Sequence, residues 1–338
     1  MNIYDIAEKC GVSIATVSRV LNNNPNVSAA TRAKIQAVID EANYTPSELA
    51  RKLGNNHTEA PTTAGGSIRA VGVLCSRLQD PYYGPVLTGL EAALRQRGYT
   101  LILADSGSTP EEEQHALDKM LADGVTAIMY VNPLHYDRMD HSPLTTAAQS
   151  VPVILLDGIL SAPGVYSIYS DRKSAVAQLV EAMMRRQRRR VLFLYDQSTH
   201  DCRQLLEGYR EAVIAAGLTY DPELTVQVES DIDKVNQCIK RLLVNRVTFD
   251  AVIGAEDILA LGAQKSLLRT GLNMPIIGFG NSLIARCANP ELTSVDCGAG
   301  ELSATAMAVL DAVLEGKQPE TPILLPTKLA ERDTFRNA

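Results

Sequence analysis

Seven short apolar runs set the frame for this chain: Ala70–Leu74, Thr100–Ala104, Ala127–Val131, Val153–Leu156, Val191–Tyr195, Ala251–Gly254 and Pro275–Phe279. None of them alternates with polar residues, and helix-length amphipathic stretches separate them. Continuous apolar runs of this length read as strands covered on both faces, the signature of parallel sheets whose crossovers are helices. The stretch is about 270 residues long, more than one core usually holds, so two doubly wound lobes are expected. In such sheets a ligand sits beyond the carboxyl ends of the strands.

The first 53 residues follow a different rule. Ile3, Ile6, Ala7 and Cys10 fall on one face of a short helix, Gly11 suits its end, and Ser13 suits the N-cap of a second helix packed through Val17, Val20 and Leu21. Ile14, Ala15, Ser18, Arg19 and Asn22 are left on the outward face. Small, hydroxyl, guanidinium and amide groups there suit base edges and phosphates better than core packing. After the loop at Asn22–Pro25, Ser28 can cap a third helix with Ile35, Val38, Ile39 and Ala42 as its apolar stripe. Thr45 and Glu48 then have capping-box spacing, with Pro46 at a first helical position. The helix they start is only about two turns long, too short to persist alone in water.

The run from Ile3 to Leu53 resembles the LacI/GalR family of bacterial transcription regulators. The likeness extends over the whole chain. It implies an all-α helix-turn-helix headpiece (1–45), a hinge helix (46–53) and a two-lobed α/β core like periplasmic sugar-binding proteins (68–338). Residues 54–67, with three glycines and no apolar periodicity, read as an extended linker longer than the family usually has. The resemblance implies a homodimer on a near-palindromic operator in double-stranded DNA. Arg19 would read guanine, with Ile14 and Ala15 on thymine methyls. Ser13, Thr16, Ser18, Asn22, Ser28 and Thr31 would hold phosphates, while Ala50 and Leu53 would enter the minor groove.

Bulk charge does not drive such binding. The chain has 32 basic and 39 acidic residues, and residues 1–55 carry six basic and five acidic ones. Affinity must come from where the donors point and from doubling every contact in a dimer.

The resemblance also implies a small-molecule effector, a sugar or related metabolite, between the lobes. Polar residues cluster near the strand ends: Asp80 to Tyr83, Asp105 with Ser106, Asn132, Asp157, Asp196, Glu256 with Asp257, and Asn281. Tyr83, Asp105, Asp157, Arg203, Asp257 and Asn281 are the candidate effector ligands. Three positions depart from the family pattern, with Leu205 for an arginine, Gly280 for an aspartate and Cys297 for a glutamine. These departures count against a common hexose or purine held by the usual contacts, and leave open another small molecule or a protein corepressor.

Other features read as structural. Arg185–Arg190 holds five arginines at an expected helix-to-strand corner, with a second nucleic-acid or acidic-partner patch as the alternative, and Glu111–Glu113 follow Thr109-Pro110 as an acidic first helical turn. The six cysteines show no CxxC pair and no cysteine/histidine ligand spacing, so no metal and no cofactor are expected. No glycine loop for phosphates and no nucleophile elbow speak for an enzyme. Without an export signal or a membrane span, the expectation is a regulator of the bacterial cytoplasm, associated with the nucleoid, rather than a periplasmic binding protein. No apolar heptad follows Arg332, so a dimer is expected rather than a tetramer, with helices near 84–97 and 110–123 as interface candidates.

Overall fold

A computed structural model describes residues 9–12, 16, 17, 20, 29–41, 69–133, 143–196 and 200–336. In the N-terminal part Cys10, Val17, Val20 and Ile35 are buried, the last on α1 (Ala29–Glu41). Gly11 takes a φ of 61°, as a helix end requires. The Lys34 ammonium of α1 donates to the Cys10 carbonyl at 2.9 Å. That basic residue therefore ties helices together at this end.

The first lobe runs β1 (Arg69–Cys75), α2 (Tyr83–Gln96), β2 (Tyr99–Asp105), α3 (Pro110–Ala122), β3 (Ala127–Val131), α4 (Pro143–Ala147), β4 (Val153–Leu156) and β5 (Val165–Ser170). The second runs α5 (Arg172–Arg185), β6 (Val191–Tyr195), α6 (His200–Ala215), β7 (Thr225–Gln227), α7 (Ile232–Val244), β8 (Ala251–Gly254), α8 (Asp257–Thr270), β9 (Ile276–Phe279), α9 (Leu283–Cys287) and β10 (Thr293–Asp296). The chain then returns through α10 (Ala299–Leu314) and β11 (Ile323–Leu325) to the first lobe, and ends with β12 (Lys328–Ala330) and α11 (Asp333–Arg336) on the second.

Two six-stranded sheets result, ordered β11-β5-β4-β3-β1-β2 and β12-β10-β9-β8-β6-β7. All neighbours are parallel except β12, which is antiparallel to β10. The inner strands β3, β4, β8 and β9 are buried throughout, as their unbroken apolar sequences require. Thr100–Ala104 needs correction: β2 is an edge strand rather than a buried one, and Leu103 is 45% exposed because no strand covers that side.

Local chemistry explains the helix ends. The Thr109 hydroxyl accepts from the Glu112 N–H, and the Glu112 carboxylate accepts from the Thr109 N–H, closing a capping box at the start of α3. The arginine run is indeed a corner. Arg186 stacks 3.7 Å from the Phe335 ring and donates to its carbonyl, while Arg189 and Arg190 donate backbone N–H groups to the Asp250 carboxylate.

Candidate functional site

The carboxyl ends of the two sheets face each other, and polar side chains from both lobes meet there in two groups. In the first, Arg77, two residues beyond β1, makes a bidentate pair with Glu256 beyond β8, its Nη2 lying 2.9 Å from Oε2. The Ser230 hydroxyl donates to the same Oε2 at 2.6 Å, and Asp196 lies 3.9 Å from the guanidinium. Burial pushes the Glu256 carboxyl up to about 7, with Arg77 opposing that shift. Burial also raises Asp80, which caps the turn into α2 by accepting the Tyr82 N–H at 2.9 Å.

The second group is built on Arg172 at the start of α5. Its Nη2 donates to Asp157 at 2.8 Å and its Nη1 lies 3.4 Å from Asp201. The guanidinium stands 5.2 Å from the Tyr82 ring, and the Tyr83 hydroxyl donates to Asp201 at 3.2 Å. The Ser170 N–H donates to Asp157, while its hydroxyl lies 2.8 Å from the Cys297 carbonyl, which also accepts from Tyr82 at 3.3 Å. These contacts run from β4, β5 and α2 of one lobe to α6 and the end of β10 of the other. They fasten the lobes face to face.

The six candidate effector residues separate accordingly. Tyr83 and Asp157 belong to the Arg172 group, and Arg203 is half-buried two residues past Asp201. Asp257 lies apart. Its carboxylate accepts from the Ser282 N–H and hydroxyl, both at 2.7 Å, and from the Ser294 hydroxyl at 2.5 Å. Burial raises it to about 6. Asn281 sits beside it, donating to Asp296 at 3.0 Å and accepting from Arg332 at 2.6 Å. Asp105 is exposed at the end of β2, where it accepts the Gly107 N–H at 2.8 Å. Arg77, Ser170, Arg172 and Asp201 are absent from the sequence-derived set. Arg77 could have been found as the guanidinium nearest a strand end. Ser170 ends, and Arg172 follows, a strand, Val165–Ser170, whose hydroxyl-rich sequence hid it.

The three departures from the family pattern each have a place in this packing. Gly280 has a φ of 116°, and a Cβ there would stand 3.3 Å from Tyr82 Cβ, so the tyrosine occupies room a larger residue would need. Leu205 is fully buried on α6, in the apolar core. Cys297 presents its carbonyl to the site, while burial pushes its thiol up to about 12.

Of the candidate DNA contacts, Thr16 and Thr31 are half-buried in helices. Ser13, Ile14, Ala15, Ser18, Arg19, Asn22, Ser28, Ala50, Leu53 and the segment 54–67 lie outside the described residues. Among the described residues no group of histidine, cysteine or carboxylate side chains could hold a metal ion, and no helix is long and apolar enough to cross a membrane.

Residues 69–318 match the family of periplasmic binding proteins and sugar binding domain of LacI family, and residues 2–47 match the bacterial regulatory proteins of the lacI family. An HTH-type transcriptional regulator of Lachnoclostridium phytofermentans is 34% identical over 99% of both chains. Catabolite control protein A of Priestia megaterium is 28% identical over 100% of this chain and 99% of its own. The lac repressor dimer bound to operator and the anti-inducer ONPF shares the fold, with a TM-score of 0.72 at 24% identity over 99% and 98% of the two chains. With its N-terminal segment and its two-lobed core both matched, this chain belongs to the LacI family of bacterial transcriptional regulators.

Proposed function

We propose that this protein is a homodimeric repressor that reads a near-palindromic operator through residues 1–45 and releases or grips it according to a small hydroxylated metabolite sensed by the core. The observation that carries this reading is the union, in one chain, of the lacI regulatory segment at 2–47 with a two-lobed sugar-binding core at 69–318. Ile14, Ala15 and Arg19 would face base edges. Ser13, Thr16, Ser18, Asn22, Ser28 and Thr31 would position the headpiece on phosphates, and Ala50 and Leu53 would enter the minor groove.

The core supports a two-state mechanism. Its lobes meet through buried ion pairs, which have discrete made and broken arrangements, so a ligand that favours one lobe angle can bias the spacing of two hinge helices. By linkage, operator binding must shift ligand affinity by the same factor. Selection of sites from random duplex DNA tests the first half: a two-fold symmetric consensus is expected, and an asymmetric one refutes the dimer. A metabolite panel scored on that site tests the second. Release or tightening by a purified protein alone would favour the corepressor reading instead.

A further inference from the structure

Residues 1–55 carry six basic side chains, and a tally of charge counts them alike. Lys34 is different. It is an exposed residue of α1, yet its ammonium turns back onto the protein and donates to the Cys10 carbonyl at 2.9 Å. Cys10 is the last helical residue before Gly11, whose φ of 61° ends the helix. Its carbonyl is one of the last four of a helix, which the helix cannot satisfy from within, and the negative end of the helix dipole favours a cation there. The charge of Lys34 is thus spent on a helix end.

The contact is returned. The Cys10 thiol, 1% exposed, donates to the Lys34 carbonyl at 3.9 Å. Each residue uses its side chain on the other's backbone, across 24 positions of sequence, so the pair fixes the rotation between the two helices as well as their separation. The DNA-facing helix lies between them in the chain. Thr16 is already helical a few residues beyond Gly11, and Val17 and Val20 are buried, as is Ile35 beside Lys34. Where that helix stands therefore follows from how Cys10 is held on α1.

We infer that Lys34 is a positioning residue for sequence reading: it holds the DNA-facing helix at the angle that base contacts need, and does this instead of contacting a phosphate. A directional contact to a base edge must be held to within about 0.5 Å of its productive geometry. Attraction to phosphates is long-ranged and carries no sequence information. A displaced helix therefore loses discrimination before it loses general affinity for DNA. The inference rests on the DNA-reading half of the proposed function and on nothing in the core.

The test uses the full-length protein with Lys34→Met, which keeps an apolar stem and removes the ammonium, and Lys34→Arg, which restores a cationic donor. Fluorescence anisotropy measures binding to a labelled duplex carrying the consensus from the random-DNA selection and to a random-sequence duplex of equal length, between ~50 and ~200 mM salt. Lys34→Met should lose about 10-fold or more on the consensus, the factor that a lost hydrogen bond to a charged group corresponds to, and less than ~3-fold on the random duplex. Its salt slope on the consensus should match that of the wild type, and Lys34→Arg should recover affinity for the consensus. A slope shallower by about one per subunit would make Lys34 a phosphate contact and overturn the inference. Equal losses on the two duplexes would overturn it as well, because a headpiece that merely fails to fold loses both. So would an unchanged Lys34→Met protein, or no recovery in Lys34→Arg. An asymmetric consensus refutes the dimer and leaves the comparison of variants in force, whereas failure to select any consensus refutes the proposed function and this inference with it.

Discussion

Arg77→Ala tests the claim that a buried ion pair holds the lobes together. The side chains of Arg77 and Glu256 are only 10% and 8% exposed, and the guanidinium engages both carboxylate oxygens. Deleting one partner of such a pair costs about 3–5 kcal/mol, because the remaining charge is buried without compensation. Part of that cost has an escape: opening the cleft lets water reach Glu256. The variant should therefore be less stable to urea and should also open. If the whole cost falls on the closed form, the open-to-closed ratio rises by about two to three and a half orders of magnitude, at ~1.4 kcal/mol per factor of ten. Small-angle scattering reads the opening as an increased radius of gyration, and urea unfolding reads the stability. Arg77→Met combined with Glu256→Leu should recover stability, since an apolar pair of similar volume often replaces a buried ion pair at no cost. An Arg77→Ala protein within ~0.5 kcal/mol of wild type, with an unchanged scattering curve, would refute the reasoning.

Three further outcomes are expected. Asp257 binds its proton more readily in the folded chain than in the unfolded one, because burial raises it from 3.8 to about 6; stability therefore falls as pH rises through that window, and Asp257→Asn should flatten the fall in urea midpoints measured across it. Gly208→Val forces α6 away from α5, since a Cβ at that glycine would stand 2.8 Å from Val176 Cγ1, and should cost about 1–3 kcal/mol by urea unfolding; a neutral result would contradict that close approach. Arg19→Ala should cost about 1–3 kcal/mol on the selected operator and relax preference at one base pair per half-site, whereas equal loss on all sequences would make Arg19 a phosphate contact.

The fold was largely legible because parallel strands buried on both faces carry their environment in their own residues. Val153–Leu156 could hardly be anything but an inner strand. β2 shows the limit. Thr100–Ala104 has the same apolar composition, yet its place at the sheet edge depends on which strand lies beside it, a fact its own residues do not record. β5 fails in the opposite way: Val165–Ser170 (Val-Tyr-Ser-Ile-Tyr-Ser) is rich in hydroxyls although it is buried almost throughout, and those hydroxyls matter because Ser170 stands at the strand end, bonded to Asp157 and Cys297.

The site was legible as a set of positions but not as a set of pairings. A strand end announces that a polar residue there faces the cleft, and Tyr83, Asp157 and Glu256 follow from that rule. What each carboxylate does depends on partners far along the chain. Asp257 and Glu256 are adjacent in sequence, yet Asp257 turns to Ser282 and Ser294 of its own lobe while Glu256 reaches Arg77 of the other. Asp257 therefore holds its lobe together, and Glu256 holds the lobes to each other. The division has a consequence for mechanism. A ligand that competes for Glu256 or Arg172 changes the balance between lobes, whereas one that competed for Asp257 would first have to break three hydrogen bonds inside a single lobe. The regulatory weight of the core thus falls on the two arginines, the residues that pattern at the strand ends alone did not single out.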